Sequence, residues 1–162
     1  MLKKQLRFCL LMAFAVLMNC HSMKAQPSSG SWGVGIQFGE PSGLSIKHYN
    51  PGAMSFDALL AWDLDDFLFI NVHGLWEKRL GSSVPLNFYY GPGAFIGIID
   101  RGPKRFFNDS DEEIALGISG TAGLNYYIDQ FEIYQQLTPR LQLLEETDAD
   151  VGGGLGFRFF FR

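Results

Sequence analysis

Residues 151–162 read Val-Gly-Gly-Gly-Leu-Gly-Phe-Arg-Phe-Phe-Phe-Arg. The odd positions, Val151, Gly153, Leu155, Phe157, Phe159 and Phe161, form a mainly aliphatic and aromatic face. The even positions, Gly152, Gly154, Gly156, Arg158, Phe160 and Arg162, form a face of mostly glycine and arginine. A period of two over this length predicts a β-strand lying between two different environments. The apolar face widens to phenylalanine toward Phe161, as suits the closing strand of a membrane-spanning β-barrel.

The same alternation runs back through the chain. Eight strands are predicted, over residues 31–39, 43–49, 54–62, 67–80, 85–99, 113–127, 131–144 and 151–161. Most reach the roughly 9–11 residues that a tilted membrane strand needs, and the second is short. One face of each strand is apolar: Trp32, Val34, Ile36 and Phe38 on the first, Leu68, Ile70, Val72 and Trp76 on the fourth, Ile114, Leu116 and Ile118 on the sixth. No Asp, Glu, Lys or Arg falls in that phase on any of the eight except Lys78, near the end of the fourth. A lysine or arginine at the lipid midplane would cost about 2–4 kcal/mol. The other face carries Gln37, Lys47, Asp57, Asn71, His73, Glu77, Asn125, Glu132, Arg140 and Arg158, interleaved with small glycines. A soluble barrel would be polar outside and apolar inside. Trp32, Trp62, Trp76, Tyr126 and Phe159 fall near predicted strand ends, where aromatic girdles meet the membrane interfaces. Pro92 and Pro139 lie inside predicted strands, so each calls for a bulge or a shifted boundary.

Length and composition agree. The chain has 162 residues, one domain's worth, with 15 Phe, 6 Tyr, 3 Trp and 19 Gly. Lys3, Lys4 and Arg7 precede an apolar run over 8–18, too short to span a membrane, which predicts a signal peptide over 1–25 and a barrel domain over 26–162. Cleavage after Ala25 is the expected processing, and lipoprotein-type processing at Cys20 is the alternative. Cys9 and Cys20 both lie in the segment, so a chain cut after Ala25 has no disulfide and no thiol. That chain keeps nine Lys and Arg against 17 acidic residues, a net charge of about −8, which argues against a nucleic-acid partner.

With the strand count, the alternation, the signal and the Leu155–Phe161 ending in hand, residues 30–162 resemble the small eight-stranded outer-membrane barrels of Gram-negative bacteria, the OmpA/OmpX-like architecture. The family often ends on an aromatic residue, and here Arg162 follows Phe161. The resemblance implies an all-β fold, an antiparallel up-and-down transmembrane barrel, in the outer membrane. Connections after odd strands would then be extracellular. They hold most of the acid, including Asp63, Asp65, Asp66, Asp109, Asp111, Glu112, Glu145, Glu146, Asp148 and Asp150.

Catalytic and cofactor motifs are missing. There is no Gly-x-Ser-x-Gly elbow and no His-Glu-x-x-His. His48 faces outward with no serine nearby on its face. Gly33, Gly35 and Gly39 lie on an alternating strand with no helix following, so they form no nucleotide loop. No cofactor and no metal site is expected. The expected role is structural or surface-interacting in the envelope, as a monomer without an open pore. Its expected partner is outer-membrane lipid; the acidic loops have no recognisable metal-ligand spacing, so simple hydration of the rim is the expected reading, and lipopolysaccharide bridged to them by divalent cations is the alternative. A membrane-embedded lipid-modifying enzyme and a secreted soluble ligand carrier are the rival readings.

The interior charges form the candidate site: Lys47, Asp57, His73, Glu132, Arg140 and Arg158. Hairpin pairing sets Lys47 opposite Asp57, and Asp57 beside His73 to within one register step. Glu132 is expected to share the lumen with Arg140 and Arg158. On this reading Asp57→Ala destabilises, and Lys47→Met added to it recovers part of the loss.

Overall fold

The computed structural model describes residues 26–63, 67–81, 84–100, 112–144 and 147–161. The predicted signal peptide lies outside them, as do Asp65, Asp66, Asp109, Asp111, Glu145, Glu146 and Arg162. Eight strands close into one antiparallel barrel in sequence order. They are β1 (Trp32–Glu40), β2 (Gly43–His48), β3 (Ser55–Asp63), β4 (Phe67–Arg79), β5 (Leu86–Asp100), β6 (Glu112–Ile128), β7 (Phe131–Gln142) and β8 (Ala149–Phe161).

β8 closes the ring by pairing with β1 in a run from Trp32–Phe161 to Glu40–Gly153. Closure leaves no sheet edge along that seam, the solution that lipid demands of a β-structure. Glycines make the seam possible. A Cβ on Gly35 would fall 1.8 Å from the Phe157 carbonyl oxygen, and one on Gly156 would fall 2.5 Å from the Tyr134 hydroxyl. The β6–β7 turn holds Asp129 at φ 55°, a left-handed conformation that aspartate tolerates better than most residues.

The two faces separate as the alternation requires. Trp32, Ile36, Phe38, Trp62, Val72, Trp76, Ile118, Leu137, Leu155 and Phe161 are exposed on the outside. Lys47, Asp57, Asn71, His73, Asn125, Glu132 and Arg158 are buried within. The interior is not wholly polar, however. Ala61, Phe69 and Phe95 form an apolar layer toward the end that carries the β1–β2 hairpin, and Tyr49, Tyr127 and Phe160 form an aromatic layer at the other end.

The prolines are accommodated without a bulge or a shifted boundary, against the sequence expectation. In the β4–β5 ladder the bridges stop at His73–Gly93 and resume at Trp76–Tyr90 in the same register. The β6–β7 ladder stops at Ser119–Arg140 and resumes at Ala122–Leu137, again in register. Gly120 lies opposite Pro92 on β5 and, by the β6–β7 register, opposite Pro139 on β7, so both missing donors fall in one row. Thr121 Oγ1 donates to the Leu137 carbonyl at 3.4 Å across the second gap, supplying a side-chain bond where the ladder lapses.

Candidate functional site: the charged lumen

The register places Lys47 opposite Asp57 and Asp57 opposite His73. The side chains then divide differently from the sequence expectation. Lys47 turns away from Asp57, and its Nζ sits 2.7 Å from Glu132 Oε1 and 2.7 Å from Glu77 Oε1. It also donates to the Tyr127 hydroxyl at 3.0 Å. Asp57 is held by Arg158 Nη2 and by His73 Nδ1, the latter at 3.4 Å. Arg158 spans the two halves: Nη1 meets Glu132 Oε2 at 2.9 Å, Nε donates to Ser45 Oγ at 2.8 Å, and the guanidinium lies 3.8 Å from the centre of the Tyr134 ring.

Glu132 therefore bridges both permanent cations, one through each carboxylate oxygen. Asn125 Nδ2 adds bonds to Glu132 Oε1 at 2.7 Å and to Glu77 Oε2 at 3.1 Å. The Glu77 Oε1 contact with Lys47 is short yet not aligned as a hydrogen bond, so that oxygen is held by charge alone. Burial on this scale costs several kcal/mol per ion unless each charge is paired and its remaining polar atoms are bonded.

Arg140 does not join this cluster. It sits toward the end of the barrel that carries the β1–β2 hairpin, paired with Asp150, its guanidinium 5.3 Å from the Phe69 ring centre. The reason is strand geometry. Glu132 and Arg140 share β7, and eight residues at about 3.4 Å each separate them by roughly 25 Å, most of a membrane's thickness. Glu77 and Asn125, already on the polar face, and Tyr127 join the cluster beyond the six candidate residues. Their signal is phase: Glu77 continues the inward register of His73, and Tyr127 that of Asn125.

A second feature was not foreseen. Ser119 Oγ lies 3.2 Å from His73 Nε2, while His73 Nδ1 faces Asp57, in the order serine, imidazole, carboxylate. The serine proton, however, goes to Asn71 Oδ1 at 2.8 Å, and Asp57 is already committed to Arg158. A nucleophile needs its proton aimed at the base and a base free to accept it. The arrangement is a hydrogen-bonded relay inside a packed lumen. His48 faces outward as expected and packs on Trp32, ring centres 4.8 Å apart. Among the described residues no three His, Cys, Asp or Glu side chains are grouped to hold a metal ion.

The chain is similar to the N-terminal β-barrel domain of OprF from Pseudomonas aeruginosa, with a TM-score of 0.60, 16% identity, and coverage of 81% of this chain and 96% of that one. The fold is that of the small eight-stranded outer-membrane barrels. Two further solved structures match at lower similarity. Neisserial surface protein A gives a TM-score of 0.48 at 12% identity, covering 81% of this chain and 94% of that one. Ail of Yersinia pestis gives 0.46 at 17% identity, covering 80% and 99%. No protein-family model and no curated protein matches the chain. A closed barrel that is apolar outside and charged inside belongs in an outer membrane, where its exposed belt meets lipid.

Proposed function

We propose that the protein serves the cell envelope as a sealed, monomeric outer-membrane barrel, structural in itself and presenting its loops to surface partners. The observation that carries this reading is the filled lumen. Arg158, Tyr49, Tyr89, Tyr127, Tyr134, Lys47 and Phe160 are its largest fully buried side chains, and they leave two aromatic or ionic layers in series across the axis. Eight strands enclose only enough space for side chains to fill. A closed sheet has no edge that asks for a second copy. The partners in this reading are the lipid around the belt and lipopolysaccharide at the acidic outer rim, reached through divalent cations. Serine-nucleophile catalysis does not enter it, because the Ser119–His73–Asp57 order lacks an available proton path.

Planar-bilayer recording of the purified protein tests the seal. The expected trace shows no steady conductance above the bare bilayer. A stable ohmic step that scales with protein added would overturn the sealed reading in favour of a channel.

A further inference from the structure

The barrel wall is uneven at its outer rim. β2 pairs with β3 as far as Leu44–Leu60, and β3 runs on through Ala61, Trp62 and Asp63. β1 pairs with β8 as far as Glu40–Gly153, and β8 extends past that pair through Gly152, Val151, Asp150 and Ala149. The low β1–β2 hairpin thus leaves a notch two strands wide between the ends of β3 and β8. At about 3.4 Å per residue the flanking strands rise roughly 10 Å above it. Unpaired strand edges are not tolerated against hydrocarbon. Trp62 and Phe38, both more than half exposed, stand on the lipid side beside the notch and set it at the interface, where head groups meet acyl chains.

A hollow lies on each side of the low hairpin. Outside, about 360 Å³ is lined by Ile36, Phe38, Leu44 and Trp62 with Ser42 and Gly43 of the hairpin tip. Inside, about 310 Å³ is floored by Phe69, Phe95 and Ala115 and walled by Arg140, Asp148 and Asp150. Phe69 is the register partner of Ala61, so this floor is level with the base of the notch. Asp150 belongs to the part of β8 that flanks the notch. Arg140 answers Asp150, whereas the Asp148 carboxylate accepts the Ala149 N–H at 2.9 Å and has no ion pair among the described residues. Among the described residues the inner cup therefore has one carboxylate in excess; Arg140 already faces the Phe69 ring, which leaves Phe95 as the aromatic surface for a further cation carrying apolar groups.

We propose that this rim binds a single-chain cationic amphiphile from the outer leaflet. The chain lies against Phe38, Leu44 and Trp62, and the ammonium head passes over the β1–β2 hairpin into the cup between Asp148 and the Phe95 ring. This goes beyond a structural role and adds a ligand site to the barrel.

Trp62 is the reporter. In a protein whose other tryptophans are replaced (Trp32→Phe, Trp76→Phe), reconstituted in phosphatidylcholine nanodiscs, undecyltrimethylammonium brominated at its tail end is titrated against tryptophan emission. Saturable quenching is expected, at least ten-fold stronger than with bromoundecanoate of the same length. Gly97→Leu fills the cup: a Cβ there meets only ordinary contacts, the nearest 3.5 Å away at the Ala115 Cβ, so the barrel can hold the change. It is expected to remove the saturable component, and Asp148→Asn to weaken it several-fold. Ala115→Leu serves in its place if Gly97→Leu loses the folded band on unboiled electrophoresis. Quenching that rises linearly in the parent protein, that is equal for the anionic chain, or that survives cup filling would overturn the proposal.

Discussion

Arg158→Met is expected to lower unfolding free energy in detergent micelles by about 3–5 kcal/mol, the usual cost of leaving buried charges without their partner. Arg158 is fully buried on β8 and is the only side chain that binds both Asp57 and Glu132 among the described contacts. Its loss leaves the Asp57 carboxylate with His73 as its remaining close partner and leaves Lys47 as the one cation on Glu132, beside the Asn125 amide. Asp57→Ala is expected to be costly for the converse reason. The pairing also decides which second change helps. Asp57→Ala with Arg158→Met should recover part of the combined loss, because it removes both ends of one ion pair. Asp57→Ala with Lys47→Met should not, because Lys47 serves Glu132 and Glu77 rather than Asp57. This reverses the rescue expected from hairpin register alone. Urea titration followed by tryptophan emission reads the four variants. A cost of about 1 kcal/mol or less for Arg158→Met would mean a hydrated lumen, where such pairs count for little.

Gly91→Ala is expected to be as damaging by a purely steric route. A Cβ at Gly91 would lie 1.6 Å from the Gly74 carbonyl oxygen and 3.2 Å from Leu75 Cα. Both are backbone atoms, so no side chain can swing aside. The β4–β5 ladder already lapses here beside Pro92, and the methyl group would have to push the strands apart at their weakest pairing. Overpacking typically costs about 1–3 kcal/mol, and a backbone obstacle places this variant at or above that upper value. Gly120→Ala, one strand away, is the control: the nearest atom to its Cβ would be 3.9 Å distant, so the same change there should be tolerated. Refolding yield measured by the unboiled band in electrophoresis separates the two. Equal yields would mean that the strands relax freely at the lapse.

Most of the architecture is legible in the chain because a transmembrane barrel is written locally. Alternation at Trp32–Phe38 or Ile114–Ile118 states which side meets lipid, and short turns such as the one at Asp129 state that neighbours are antiparallel. The hairpin register of Lys47, Asp57 and His73 follows from the same local rule. Contacts across the lumen do not. Whether Lys47 reaches Asp57 or Glu132 depends on strand tilt and on how far β8 is staggered against β1, and closure sets both. Arg140 shows the other limit: it has the right phase for the lumen but sits at the wrong height. Phe69, Leu75 and Phe95 were passed over because β4 and β5 are apolar on both faces there, which blurs a period of two. The row formed by Pro92, Gly120 and Pro139 spans three strands and appears only once their registers are known.

The exposed belt of Trp, Ile, Leu and Phe side chains faces lipid while the charges stay inside. Fractionation of cells producing the protein, followed by electrophoresis of each fraction with and without boiling, tests it most directly. The protein is expected to stay in the outer-membrane fraction through a high-salt wash, to leave it only with detergent, and to change mobility on boiling as the closed barrel opens. Recovery in the soluble periplasmic fraction, with the same mobility before and after boiling, would contradict it.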